Sequence, residues 1–131
     1  MSGQPDTTRA RDLQLRDPSL FREAALIGDR WIEADAGNGV AVTDPASGAI
    51  LGHVPRLGAD ETRAAIAAAQ AAQKLWAVRT AKERASILRR WFELVMAHQD
   101  DLARILTAEQ GKPLGEARGE IVYGASFIEW F

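Results

Sequence analysis

The sequence predicts an α+β chain that is mostly helical, with small antiparallel β-hairpins near its N-terminus. Three observations carry this. β-prone runs separated by turn residues fill the stretch from Ala25 to Val54. From Asp60 onward, apolar residues recur at steps of three and four in an alanine-rich background. Gly111-Lys112-Pro113 then stops one helical run and another begins at Leu114.

Taken in order, residues 1–18 mix arginine and aspartate and hold few large apolar groups, so a flexible N-terminal tail is expected, becoming helical towards Leu20 and Phe21. Residues 19–131 form the folded unit. Ala25-Leu26-Ile27 and Arg30-Trp31-Ile32 flank Gly28-Asp29, a two-residue hairpin signal. Asp35 to Gly39 is a turn cluster. Val40–Thr43 and Ala49–Val54 flank Asp44-Pro45-Ala46-Ser47-Gly48, where proline presets the turn, and this predicts a second hairpin. Asp60 is the expected N-cap of the first helix, whose apolar stripe is Ile66, Ala69, Gln73 and Trp76. Thr80 and Glu83 have the spacing of a capping box. Leu88, Trp91, Phe92, Val95, Leu102, Ile105 and Leu106 continue the periodicity through a bend near His98, with Asp100 restarting the helix. Ala117, Ile121, Ala125 and Ile128 share one face of the last helix. Trp76, Leu88, Trp91, Phe92, Val95, Leu102 and Ile121 are the expected bundle-like core.

The chain has 131 residues, 16 basic and 18 acidic, for a formal charge of −2. That disfavours a nucleic-acid binder. No stretch approaches the ~18 apolar residues of a membrane span, and the polar N-terminus is no secretory signal, so a cytoplasmic protein is expected. Cysteine is absent, which removes disulfides, thiolate nucleophiles and cysteine-ligated zinc. Gly37-Asn38-Gly39 lacks the third glycine of a dinucleotide fingerprint and precedes a strand, so it reads as a turn. His53 and His98 fall in different elements and read as ordinary histidines, and Asp100-Asp101 reads as a cap rather than an acid–base pair. The last helix grows more apolar towards Phe127, Ile128, Trp130 and Phe131 and has no capping residue. Either these side chains fold back on the chain's own core, or the chain is the front of a longer one.

A resemblance favours the second. Ala24–Ile32 followed by Val42-Thr43-Asp44-Pro45-Ala46-Ser47-Gly48, and then Glu109-Gln110-Gly111-Lys112-Pro113, resemble the N-terminal region of the aldehyde dehydrogenase superfamily. Gly58–Ile66, Thr80–Ala85, His98–Arg104 and Ala125–Phe131 resemble, in the same order, the NAD(P)-dependent succinate-semialdehyde dehydrogenases. The likeness runs from about Leu20 to Phe131.

The resemblance implies that the chain is the first, incomplete part of an α/β, Rossmann-like cofactor-binding domain. In such enzymes a cysteine thiolate attacks the aldehyde, hydride passes to NAD or NADP, and water releases the acid. The cysteine, the glutamate base, the oxyanion-hole asparagine and the nucleotide contacts all lie further along. No catalytic or cofactor-binding residue is therefore expected here, and the chain alone should be inactive and bind no cofactor. Two roles carry over: a monovalent cation held by Val42 and Thr43 carbonyls with Glu109, and Tyr123 facing the substrate tunnel. The expected partners are the remainder of the dehydrogenase chain and a small aldehyde, with no nucleic acid or membrane. The isolated chain should self-associate through its apolar helix end or be partly molten. The alternative is a non-catalytic helical protein that associates with full-length dehydrogenase subunits.

Overall fold

The computed structural model describes residues 13–34 and 39–131, so most of the Asp35–Gly39 turn cluster lies outside the described residues. After a 3-10 turn at Pro18–Leu20 come β1 (Ala24–Ile27), β2 (Arg30–Glu33), β3 (Gly39–Thr43) and β4 (Ile50–Pro55). Four helices follow: α1 (Ala59–Ala77), α2 (Ala81–Ala97), α3 (Gln99–Gln110) and α4 (Leu114–Trp130). The mostly helical α+β class is borne out.

Both hairpins form as the turn signals require. β1 and β2 pair antiparallel, Ala25 opposite Ile32 and Leu26 opposite Trp31, around Gly28-Asp29. β3 pairs with β4, Val40 opposite Val54 and Val42 opposite Gly52, with a register shift after Val42. Asp44 organises the intervening turn: its carboxylate accepts from the Ala46 N–H at 2.8 Å and the Ser47 hydroxyl at 2.7 Å. The hairpins are joined by Glu23, whose carboxylate accepts the His53 N–H.

The first helix corrects two expectations. It begins at Ala59 behind Gly58, because the Glu61 carboxylate reaches back to the Gly58 N–H at 2.9 Å. Asp60 instead pairs with Arg63 at 2.6 Å. The packed side of α1 is also turned from the expected stripe. Ala65 and Ala68 are half-buried, whereas Ile66, Ala69 and Gln73 are exposed. The small residues face inward because the β1–β2 turn comes close, with a β-carbon at Gly28 falling 3.7 Å from that of Ala68.

The Thr80–Glu83 capping box forms in both directions. α2 ends at His98, which also precedes α3, so the bend is a break between two helices. α4 then packs across both α2 and α3. Its inner face is Leu114, Ala117, Ile121, Ala125 and Ile128, the expected side, and Ala117 and Ala125 are fully covered. The centre of the core is alanine: Ala103, Ala117 and Ala125. This corrects the large-residue core. Leu88, Phe92, Val95, Leu102 and Ile121 are half-buried around it, and Trp91 is 56% exposed. Small side chains let the backbones approach closely, and a single layer of helices cannot enclose an indole. Trp76 lies outside this helical layer, on the half-buried side of α1.

α3 ends on Gly111, in the left-handed region at φ 81°, with its N–H returning to the Thr107 carbonyl at 2.8 Å. A β-carbon there would lie 2.8 Å from Pro45 Cγ. Gly48 shares the conformation (φ 73°) but faces open space. Gly111→Ala is therefore expected to cost ~2–3 kcal/mol and Gly48→Ala ~1–2 kcal/mol. Urea unfolding followed by far-UV circular dichroism measures both, and equal losses would refute the Pro45 contact.

Candidate functional site

The Pro45–Gly111 contact brings together two segments named from the sequence. Val42 and Thr43 end β3 just before the Asp44-Pro45 turn, and Glu109 lies two residues before Gly111 at the end of α3. Val42 is half-buried, and Thr43 and Glu109 are exposed. The Asp44 carboxylate beside them is occupied by the turn, and the Ser47 hydroxyl and Ala46 N–H hold its pKa below the usual carboxylate range. Carbonyl and carboxylate oxygens are donors suited to a hard cation. Among the described residues no three His, Asp or Glu side chains gather as a metal cluster.

Tyr123 sits on the other side of α4 from Ala117 and Ala125. It is 67% exposed and packs edge-on against Phe127, ring centres 5.0 Å apart. Val122, Phe127 and Trp130 share this outward side and are also exposed. α4 is thus apolar on both faces, the pattern of a helix covered all round. At its end, Ser126, Phe127, Glu129, Trp130 and Phe131 line an open groove of about 600 Å³.

Of the Gly37-Asn38-Gly39 run, only Gly39 lies among the described residues. Gly39 opens strand β3 rather than a helix, so no helix N-terminus faces a phosphate there. His53 lies in β4 and His98 at the α2–α3 break, in separate places. Among the described residues no helix is long and apolar enough to cross a membrane.

Sequence reasoning missed the role of the α3 N-terminus. Asp101, 3% exposed, is the buried charged residue among the described residues. Its two carboxylate oxygens accept the backbone N–H groups of Arg16 at 3.0 Å and Asp17 at 2.9 Å. It therefore caps a segment more than 80 residues earlier, not its own helix. The signal in the sequence was the Asp100-Asp101 pair, but nothing local names a partner that distant. Asp100 turns the other way, accepting from Arg118 Nε of α4 at 2.8 Å. The Arg118 hydrogen bond and charge, with Arg16 and Arg104 nearby, hold the Asp100 carboxyl below its usual range.

With this geometry in place, comparison with known proteins gives a consistent answer. The aldehyde dehydrogenase family model matches residues 31–131. The chain belongs to the aldehyde dehydrogenase family. Over 119 residues it is 61% identical to the succinate-semialdehyde dehydrogenase (NADP+) of Escherichia coli, covering 91% of this chain and 25% of that protein. It is 57% identical to a glutarate-semialdehyde dehydrogenase of Pseudomonas putida, with the same coverage. The crystal structure of succinate-semialdehyde dehydrogenase from Burkholderia pseudomallei superposes with a TM-score of 0.84 at 62% identity, over 88% of this chain and 24% of that one. The chain spans about a quarter of the length of the relatives it matches.

Asp100 supplies a pH test. A carboxylate with a lowered folded pKa contributes stability above its unfolded value, and that contribution is lost as pH falls through the folded one. Arg118→Met should raise the Asp100 pKa towards the ordinary carboxylate range, read by NMR titration of its side-chain carboxyl carbon. An unchanged titration would refute the pairing.

Proposed function

We propose that this chain forms the N-terminal part of an NAD(P)-dependent succinate-semialdehyde dehydrogenase, which oxidises succinate semialdehyde to succinate. The observation that supports it most is the 61% identity to the E. coli enzyme of that name, spread over 119 residues. Residues 19–131 are the first part of the cofactor-binding domain. The chemistry belongs to the rest of the protein, because this chain holds no cysteine to act as nucleophile. NAD or NADP is bound by the longer enzyme, and a cytoplasmic location goes with this reading.

Within it, two local roles follow. Tyr123, exposed on the outer side of α4, faces the substrate tunnel once the remaining chain covers that side. Val42 and Thr43 carbonyls and the Glu109 carboxylate hold a monovalent cation, a reading supported by the Pro45–Gly111 contact that juxtaposes their segments. The exposed apolar side of α4 also favours self-association of the chain when it stands alone.

The test is steady-state kinetics. The chain alone should show no reduction of NADP+ with succinate semialdehyde. The full-length enzyme should turn it over and prefer it to glutarate semialdehyde by roughly tenfold or more in kcat/KM, the scale expected for one methylene. A reversed preference would move the assignment to the longer semialdehyde. Tyr123→Ala in the full-length enzyme should lower kcat/KM roughly tenfold, and unchanged kinetics would remove Tyr123 from the tunnel. Glu109→Gln should abolish the rise in melting temperature given by potassium chloride over choline chloride, and a persisting rise would remove Glu109 from the cation site.

A further inference from the structure

We propose that residues 13–21 form an N-terminal strap that docks on the α2–α3 break as a unit of its own, with Asp101 as the positioning residue that holds it. The strap is hydrogen-bonded within itself. Asp17 accepts the Ser19 N–H at 3.0 Å, and the Leu20 and Phe21 N–H groups return to the Asp17 and Pro18 carbonyls. It pairs with no strand, and none of its residues is fully buried. Among the described residues, its long-range hydrogen bonds fall on one side chain. The Asp101 carboxylate engages two successive backbone N–H groups, one on each oxygen, and lies in the first turn of α3 where the helix end favours its charge.

Three further observations fit a detachable element. Gln14 holds φ at 53°, a left-handed conformation that a non-glycine residue keeps only where its surroundings impose it. A cavity of about 330 Å³ lies under the strap, lined by Arg16, Asp17, Met96, His98, Asp100 and Asp101. Asp100 is bonded to Arg118 of α4 and lies 3.9 Å from the Arg16 guanidinium, so the same helix end faces the strap and α4 together. Removing the Asp101 charge leaves two partly buried N–H groups without a strong acceptor, while the alanine centre of the helices is untouched. Undocking then opens the cavity at the break and releases the strap without unfolding the bundle.

Amide hydrogen exchange of the full chain tests this. In the wild type, the Arg16 and Asp17 amides should be protected, and should open together at lower denaturant than amides in the middle of α2. Asp101→Asn should speed exchange at those two amides about tenfold or more, with α2 and α4 amides unchanged and tryptic cleavage after Arg16 accelerated. Two results overturn the proposal: Arg16 and Asp17 amides exchanging in the wild type at the rate of an unstructured peptide, or opening only together with the α2 and α4 amides. The denaturant series on the wild type decides between unit and whole-fold opening even where Asp101→Asn fails to fold.

Discussion

Close packing of α4 against α2 and α3 is the contact on which the helical part depends. Ala117 and Ala125 occupy the seam with Ala103 of α3, and no larger apolar side chain is buried among the described residues. Backbones that approach this closely leave the aliphatic and aromatic side chains of α2 and α3 arranged around the seam, half-covered. The opposite side of α4 is as apolar as the inner one, with Val122, Tyr123, Phe127 and Trp130 exposed. An element with two apolar sides belongs in the middle of a protein, and a segment spanning a quarter of its relatives' length is consistent with that placement.

The hairpins are joined to this helical part by short polar and steric contacts rather than by a shared large core. Pro45 rests against Gly111, which ties the β3–β4 turn to the end of α3. The β1–β2 turn rests on Ala68 of α1. The N-terminal segment reaches α3 through Asp101. In each case a turn meets a helix at a small or specifically hydrogen-bonded residue. Such contacts fix position with little buried area, so their geometry matters more than their hydrophobicity.

That distinction also explains what could be read in the sequence. Turn chemistry at Gly28-Asp29, at Asp44–Gly48 and at Gly111 is local, and the hairpins and the α3 stop fell where those residues put them. The Thr80–Glu83 box marked the start of α2 for the same reason. The inner side of α4 was legible from its spacing. Errors arose where a distant neighbour decides. Ile66 looked like a core residue by periodicity, yet the approaching β1–β2 turn admits only the alanines beside it. Trp91 has the spacing of a core residue but lacks a second layer to cover it. Asp101 looked like a cap for its own helix, and its partners stand more than 80 residues away. The β3–β4 turn and the α3 end meet through a proline–glycine contact that no local pattern encodes.

The family assignment and the substrate assignment rest on different physics. Family membership rests on the match over residues 31–131, a segment that holds most of the turns, caps and helix seam described above. Substrate choice between semialdehydes differing in chain length is set by a few pocket contacts, worth ~1–3 kcal/mol per methylene. The identities to the succinate- and glutarate-semialdehyde enzymes, 61% and 57% over 119 residues each, are close. Residue differences bear on specificity only where they lie on a surface that meets substrate. On this chain the outward side of α4 is such a surface in the proposed reading, and Tyr123 is its exposed hydroxyl-bearing aromatic residue. A phenol there presents an apolar ring and one polar tip to a ligand that is itself an apolar chain between two polar ends. In that reading, discrimination by chain length would depend on where that tip is held along the helix axis, a position set by the packing of Ala117 and Ala125 on the inner side of α4.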